Sequence, residues 1–391
     1  ITWTASIINW LWDNHFEKNK VYSAFWSVTS YSYGAFNRVQ EVVTPGDIKS
    51  VSNLYWSEGH QDAPEGSLYL SWGQSSGQAE GYTFFDAAGR TLRSVSFGFD
   101  EEKTFVDYQY DAQGRKYKVS LPYYDGDSAL WSIISYDVFG RVDEVLAADN
   151  TKTEYDYSAL MKEITVSKGS YTSTSELHFN ALGETVQSKD ASGTSVYMAY
   201  YPDGKLKESY TSVNPGLKTE VSYDSQGNRV CLKDPDAGKD STVYDSFGQL
   251  ILSISPKGDT SEFDYDKLGR IISMNDSRGQ TNYVYISDTT SKAFGMTDSI
   301  YMADGSLSEV FVYENEYGRL IEHHRRIPDK QFSNTFSYDW YGRLLNRTYP
   351  SGFELTYSYT DIGLLDEISG DGKSIWSCND VNELGQITSY S

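Results

Sequence analysis

YDKLGR, residues 265–270, decides the fold, because the same phrase keeps returning along the chain. It reads YDAQGR at 110–115, YDVFGR at 136–141, YDSQGN at 223–228, YDSFGQ at 244–249 and YDWYGR at 338–343. Looser copies begin at Phe84 (FFDAAGR), Phe179 (FNALGE), Tyr200 (YYPDGK), Tyr313 (YENEYGR), Tyr359 (YTDIG) and Cys378 (CNDVNELGQ). The turn glycines from Gly204 to Gly269 are spaced by 23, 21 and 21 residues, and those from Gly318 to Gly385 by 24, 21 and 22. Two wider gaps, 140–183 and 269–318, each fit two periods with a degenerate copy between, YDYSALMKEI at 155–164 and YISDTTSKAFG at 285–295. A fixed period of this size is the signature of a repeat architecture.

Each unit has the same internal order. In 250–274, Leu250, Ile251, Leu252 and Ile254 form an apolar run, Pro256, Lys257 and Gly258 a turn, and Phe263 and Tyr265 an aromatic pair two residues apart. Such pairs recur at Tyr108/Tyr110, Ile134/Tyr136, Val221/Tyr223, Phe336/Tyr338 and Tyr357/Tyr359. A period of two in these residue types predicts a strand with one buried face. The Asp after the Tyr accepts hydrogen bonds from backbone N–H groups further along the turn, and the Gly three residues later takes the positive-φ position. The Arg after the Gly reaches back to that Asp or lies over a Tyr ring. This structural role falls to Tyr110, Asp111, Gly114 and Arg115; to Tyr136, Asp137, Gly140 and Arg141; and to Tyr223, Asp224 and Gly227. It falls equally to Tyr244, Asp245 and Gly248; to Tyr265, Asp266, Gly269 and Arg270; and to Tyr338, Asp339, Gly342 and Arg343. One unit is therefore two strands and two tight turns, and the chain is all-β, with about 14 units supplying up to about 28 strands. A twisted open sheet rarely passes about 10 strands without curling. A β-propeller would need units that alternate in character, and these do not. The one helical candidate is Ser6–Lys20.

The 33 Lys and Arg against 55 acids give a net charge of −22, which repels nucleic acid and anionic lipid. No apolar run reaches the roughly 20 residues a membrane-spanning helix needs. Residues 1–20 lack the basic start and small-residue cleavage site of a signal peptide. Cys231 and Cys378 read as two ordinary thiols. Six of the nine Trp (Trp3, Trp10, Trp12, Trp26, Trp56 and Trp72) lie in the first 80 residues, where the turn signature is eroded, although YGAFNRVQEVVTPG at 33–46 keeps its outline. The expected organisation is a lead-in or cap over 1–30, divergent Trp-rich repeats over 31–81, and regular repeats over 82–391. The chain starts at Ile1 and stops as a strand begins, which reads as a piece of a longer protein.

The YDxxGR units resemble the YD, or Rhs (rearrangement hotspot), repeat family. In each, an apolar run and a second turn follow, as in DASG at 190–193, SPKG at 255–258, YPSG at 349–352 and GDG at 370–372. The stretch SLPYYDGDSALWSIISYDVFGRVDEV at 120–145 is especially similar to repeats of bacterial Rhs proteins and related toxin-complex proteins; teneurins carry the same repeat. The resemblance implies hairpins added side by side into one long sheet that spirals into a hollow shell, curled or C-shaped if incomplete. It also implies a role: bacterial relatives enclose a C-terminal toxic or effector domain, which points to a secreted or surface location. Some relatives end in an aspartyl self-cleavage motif. DPD at 234–236 is followed by Ala237 and Gly238 and does not match it, so no cleavage residue carries over.

Candidate chemistry is thin beside the repeat. Asp125/Asp127 and Asp234/Asp236/Asp240 could pair as acid and base, but almost every Asp sits at a repeat-fixed turn offset. Asp234, Asp236 and Asp240 also have a calcium-loop spacing, with Asp245 where an EF-hand needs Glu; a longer acidic turn is the competing reading. His15, His60, His178, His323 and His324 form no ligand pair, and the adjacent His323 and His324 face opposite sides of a strand. GDGKS at 370–374 lacks the first Gly of a P-loop, and there is no G-x-S-x-G. Asn275 and Asn346 begin formal glycosylation sequons. The 33 Tyr read as packing ladders, or alternatively as platforms for sugars. The expectation is a non-enzymatic wall segment without catalytic residues, cofactor or nucleic-acid partner. Its partner is an enclosed toxin, effector or other protein. The alternative is an adhesin-like module holding glycans or protein.

Overall fold

The structure is a computed structural model; it describes residues 29–391 apart from 35–36, 45–47 and 100. The helical candidate at Ser6–Lys20, most of the 1–30 lead-in, four of the Trp, His15 and parts of 33–46 lie outside the described residues. The described residues form 33 strands in one antiparallel sheet and no α-helix. That is more than the 28 the repeat count allowed. The Trp-rich stretch contributes full strands from Ser30–Tyr33 onwards, and the two residues Tyr123–Tyr124 add a ladder of their own.

The chain divides into two compact units. One holds 131–283 with 301–306. Here consecutive strands pair antiparallel without a crossover: Trp131–Tyr136 with Val142–Leu146, that strand with Lys152–Ser158, and so on to Ile271–Asp276. The ladder shifts register just before the turn Tyr in every regular unit, between Ser135 and Tyr136, Ser222 and Tyr223, Val243 and Tyr244, and Asp264 and Tyr265. A six-residue turn with a left-handed Gly makes that bulge, because the extra residue has to be absorbed on one strand. The degenerate copy at 155–164 keeps its strands but turns in two residues, with Ser158 opposite Met161.

The other unit holds the described residues up to 130 together with 284–300 and 307–391. Its first strands carry the main apolar core among the described residues: Leu70, Tyr82, Phe84, Val95 and Phe105, with Ala63, Trp72, Phe97 and Tyr123 packed against them. Register explains the grouping. Trp72 stands opposite Tyr82, Tyr82 opposite Val95, Val95 opposite Phe105, and Phe105 opposite Tyr123, so one ladder crosses five strands on a single face. The long connection between Ile48–Trp56 and Tyr69–Ser75 folds over that face, putting the His60 ring edge-on to Tyr82 and Phe84 at 5.1 and 5.2 Å. The degenerate copy at 285–295 is a loop rather than a strand, closed by Ile286 N–H to Met296 O at 2.9 Å and Gly295 N–H to Ile286 O at 3.0 Å.

Within this unit the early and late strands also meet. The Tyr124 hydroxyl donates to the Val381 carbonyl at 3.0 Å, across 257 residues of chain. Gly77, at a hairpin tip, lies against the Tyr341 ring and against Gly363.

Candidate functional site

The feature that repeats is a three-part tie built on the Tyr-Asp turn. In YDKLGR the turn closes through Asp266 N–H to Arg270 O at 2.9 Å and Gly269 N–H to Asp266 O at 3.0 Å. Gly269 has φ +79°, a left-handed conformation that a side chain resists. Oδ1 of Asp266 accepts from Leu268 N–H at 2.8 Å and Arg270 N–H at 3.0 Å, while Oδ2 takes the Arg270 guanidinium Nε at 2.7 Å. The Asp–Arg pair repeats at Asp86–Arg90 (2.7 Å), Asp111–Arg115 (2.8 Å), Asp137–Arg141 (2.7 Å) and Asp339–Arg343 (2.5 Å).

Three of these arginines, and Arg319, whose turn acid is Glu314, use their flat faces on a second partner. Arg90 lies 4.9 Å from the Tyr110 ring, Arg141 4.2 Å from Tyr157, Arg319 5.2 Å from Tyr338 and Arg343 4.5 Å from Tyr359. In each case the ring belongs to a later repeat. The hydroxyl of that ring then donates back to the carbonyl that follows the arginine: Tyr110 to Thr91, Tyr157 to Val142, Tyr338 to Leu320 and Tyr359 to Leu344, at 2.8–2.9 Å. Tyr265 does the same to Leu250 at 2.7 Å, although Gln249 replaces the arginine. Asp thus shapes the turn, Arg links turn to neighbour, and Tyr fastens the neighbour to the strand before it. The two arginine contacts are not alternatives: in Arg90, Arg141 and Arg343 both are made at once, one by the edge of the guanidinium and one by its face.

Substituted copies keep the geometry by other means. Asn180 Oδ1 accepts from Leu182 N–H at 2.9 Å and Glu184 N–H at 3.0 Å, and Asn382 does the same for Leu384 and Gln386. Asn228 donates to Asp224 Oδ2 at 3.0 Å where Arg is absent.

The turn carboxylates are held below the usual range. For Asp86, Asp111, Asp137 and Asp266 burial pushes the pKa up, but the backbone N–H groups and the guanidinium outweigh it. In Asp224 the Asn228 amide leads in lowering it. A depressed folded pKa stabilises the native state above the unfolded-chain value of about 3.9, and that contribution is lost as pH falls through it. The gap in urea midpoint between the native chain and Asp266→Asn should therefore be constant from neutral pH down to about pH 5 and shrink towards pH 2. Comparing the two chains cancels the relief of acid–acid repulsion that all of them share. A gap that stays constant to pH 2 would show that the carboxylate charge contributes nothing.

The other residues singled out from sequence are engaged in local structure. Asp234 Oδ1 accepts from Asp236 and Ala237 N–H at 2.9 Å, and its Oδ2 takes the Thr219 hydroxyl at 3.1 Å. Asp240 accepts from Leu232 N–H at 2.9 Å and faces Arg229 at 3.5 Å. The three acids are not brought together as a ligand set, and among the described residues no group of three or more His, Cys, Asp or Glu is arranged to hold a metal ion. Asp125 and Asp127 sit in a turn, their N–H groups bound to the Lys103 and Tyr124 carbonyls. His323 stacks on Phe311 at 4.8 Å and meets Glu309, whereas His324 meets Ser333 and Glu322. Cys231 and Cys378 are free thiols. Asn346 is held between Ser337 and Thr356, whereas Asn275 is exposed.

One cluster has no counterpart in the sequence reading. Asp62, buried in the loop over the early strands, accepts from the Tyr82 hydroxyl and from Lys103 Nζ at 2.8 Å. Burial raises its pKa, yet those two partners bring it below the usual range. Alongside, Arg93 forks onto Asp107 at 2.6 and 2.8 Å, and the Tyr123 hydroxyl donates to the same carboxylate at 2.6 Å. Burial first, then Asp62, drives the Tyr82 pKa far up; burial and Asp107 push Tyr123 up to about 12. The charged groups are paired within the cluster, Asp62 with Lys103 and Asp107 with Arg93, which suits a pin that holds the loop down. The one hint in sequence is the broken period between Trp56 and Tyr69, where a polar segment replaces a turn.

A sheet of hairpins fastened repeat to repeat in this way defines the class of protein, and the comparisons agree. Residues 244–281 match the family model described as RHS Repeat, and the same Tyr-Asp turn recurs outside that stretch. Its fold is shared by three solved structures. TcdB2-TccC3-TEV is 13% identical with a TM-score of 0.71, covering 93% of this chain and 27% of its own. TcdB2-TccC3 without its hypervariable C-terminal region is 12% identical with a TM-score of 0.72, over 93% of this chain and 27% of its own. TcdB2-TccC3 is 14% identical with a TM-score of 0.68, over 92% and 25%. The likeness is one of fold, and the chain spans about a quarter of the length of these proteins. No curated protein matches it. No helix among the described residues is long and apolar enough to cross a membrane.

Proposed function

We propose that this chain is a length of wall in an Rhs-type shell, exported or displayed by its cell, that encloses a toxic or effector domain lying outside these residues. The observation that carries the reading is the repeat-to-repeat tie, because Tyr–carbonyl and Arg–Tyr contacts join consecutive hairpins into a continuous hydrogen-bonded surface. The role asked of it is mechanical: to stay closed while holding a polypeptide apart from its surroundings. Two features support this. The polar clusters are spent on structure. The fold likeness is also as strong for the TcdB2-TccC3 relative solved without its hypervariable C-terminal region, so the shared part is the repeat sheet.

The full gene product provides the test. It should carry a non-repeating C-terminal domain that resists protease in the intact protein and is digested once the repeats are unfolded. A gene ending soon after residue 391 without such a domain, or a domain cut equally fast in both states, would sink the proposal.

A further inference from the structure

Beside the Asp62 pin, on the same unit, lies an open cavity of about 670 Å³ walled by Tyr55, Trp56, Trp72 and Tyr82 and edged by Glu58 and Glu80. That volume is within the usual span of small-ligand sites. Tyr55 stands opposite Leu70 and Trp72 opposite Tyr82, so the strand register assembles the wall. Trp56 is 74% exposed and Tyr55 53%, an unusual amount of aromatic surface left to water on neighbouring residues. The wall is also fixed in place. Trp72 Nε1 donates to Glu80 at 2.7 Å, which holds the indole plane and sets a carboxylate at its edge. The Tyr82 hydroxyl is taken by Asp62 and its ring is buried at the cavity floor, so the exposed aromatic surface is that of Tyr55 and Trp56.

Charge decides what such a wall would accept. The cavity's one ammonium, Lys103, is neutralised by Asp62 at 2.8 Å. Among the described residues neither Glu58 nor Glu80 has a Lys or Arg partner, so the cavity keeps two carboxylates beside its aromatic rings. Ring faces are negative through their quadrupoles, and carboxylates alongside add to that field. An anion would be repelled, whereas a cation with an apolar skirt would meet both attractions.

We propose that this cavity binds an organic cation of the alkylammonium or guanidinium type, supplied either as a free solute or as the Lys or Arg side chain of a polypeptide. The test is calorimetric titration of the 391-residue chain with choline, with a short lysine- and arginine-bearing peptide, with the uncharged choline isostere 3,3-dimethylbutanol, and with a neutral oligosaccharide. Saturable binding of choline or the peptide is expected, and which one binds identifies the source. Glu58→Gln with Glu80→Gln should weaken that binding about tenfold, and Trp56→Ala about fivefold, in line with a cation over a partly exposed ring. Trp56 is solvent-exposed, so its replacement should leave the unfolding midpoint unchanged and report on the cavity alone. Dimethylbutanol binding as well as choline, oligosaccharide binding indifferent to the Glu changes, or no saturable response to either cation would each overturn the assignment.

Discussion

Phe84→Ala should be the most damaging single side-chain truncation in the described residues, costing about 3–5 kcal/mol. Phe84 has 0% exposure and sits at the centre of the cluster formed by Leu70, Tyr82, Val95 and Phe105. Its loss removes burial energy and leaves a cavity that cannot collapse, because the surrounding side chains are anchored on a hydrogen-bonded sheet. It also removes the platform under His60, which packs edge-on to its ring, and so loosens the loop whose Asp62 reaches Tyr82 and Lys103. Elsewhere the sheet buries few side chains so deeply, which makes this spot disproportionately important. The comparison is Phe247→Ala. Phe247 occupies the equivalent type of side chain at a turn tip but is 87% exposed, so its truncation should fall within about 0.5 kcal/mol of neutral. Urea unfolding followed by tryptophan fluorescence, with amide exchange to localise the change to 57–105, measures both. A Phe84→Ala cost under about 1 kcal/mol would mean that the cluster is not a cooperative core.

The turns were the most legible part of the chain because their chemistry is local. Asp-x-x-Gly within one hexapeptide dictates both the carboxylate acceptor and the left-handed residue, and no distant partner is needed to read it. The calcium spacing at Asp234, Asp236 and Asp240 was ambiguous for the same reason: short acidic turns and cation loops use the same side chains. The target of the Tyr hydroxyl was not legible. Tyr157 reaches Val142, Tyr200 reaches Thr185 and Tyr359 reaches Leu344 only because neighbouring hairpins pair in a particular register. Nor could the pattern sort exposed from buried rings: Trp56 and Phe84 both belong to aromatic-rich strands, but register puts Phe84 on the face that the 57–68 loop covers and Trp56 on the other. The Asp62–Lys103 pair spans 41 residues and follows no period, so a repeat-based reading passes over it.

Gly363→Ala should destabilise the chain by about 3 kcal/mol or more, well beyond the cost of placing a side chain in the left-handed region. Gly363 has φ +88°, and a methyl group there would be driven into the Gly77 carbonyl oxygen and within 3.2 Å of the Arg343 guanidinium. Neither neighbour can easily give way. Gly77 has φ +71° and lies flat against the Tyr341 ring, where its own Cβ would stand 2.7 Å from Cγ, and Arg343 is held by Asp339 and by the Tyr359 face. The methyl group must therefore part the hairpin tip from the late turns or distort a turn that fixes its neighbour. Gly183→Ala separates the two costs. Its φ is +82° and nothing lies within 4 Å of the added carbon, so only the conformational penalty of about 1 kcal/mol applies. The difference between the two variants then measures the contact between early and late strands. Amide exchange in Gly363→Ala should quicken at 75–79 and 339–343, and at 124 and 381, where the Tyr124 hydroxyl meets the Val381 carbonyl. Equal midpoints for the two variants, or faster exchange confined to residues 360–364, would mean that the early and late strands are held together elsewhere.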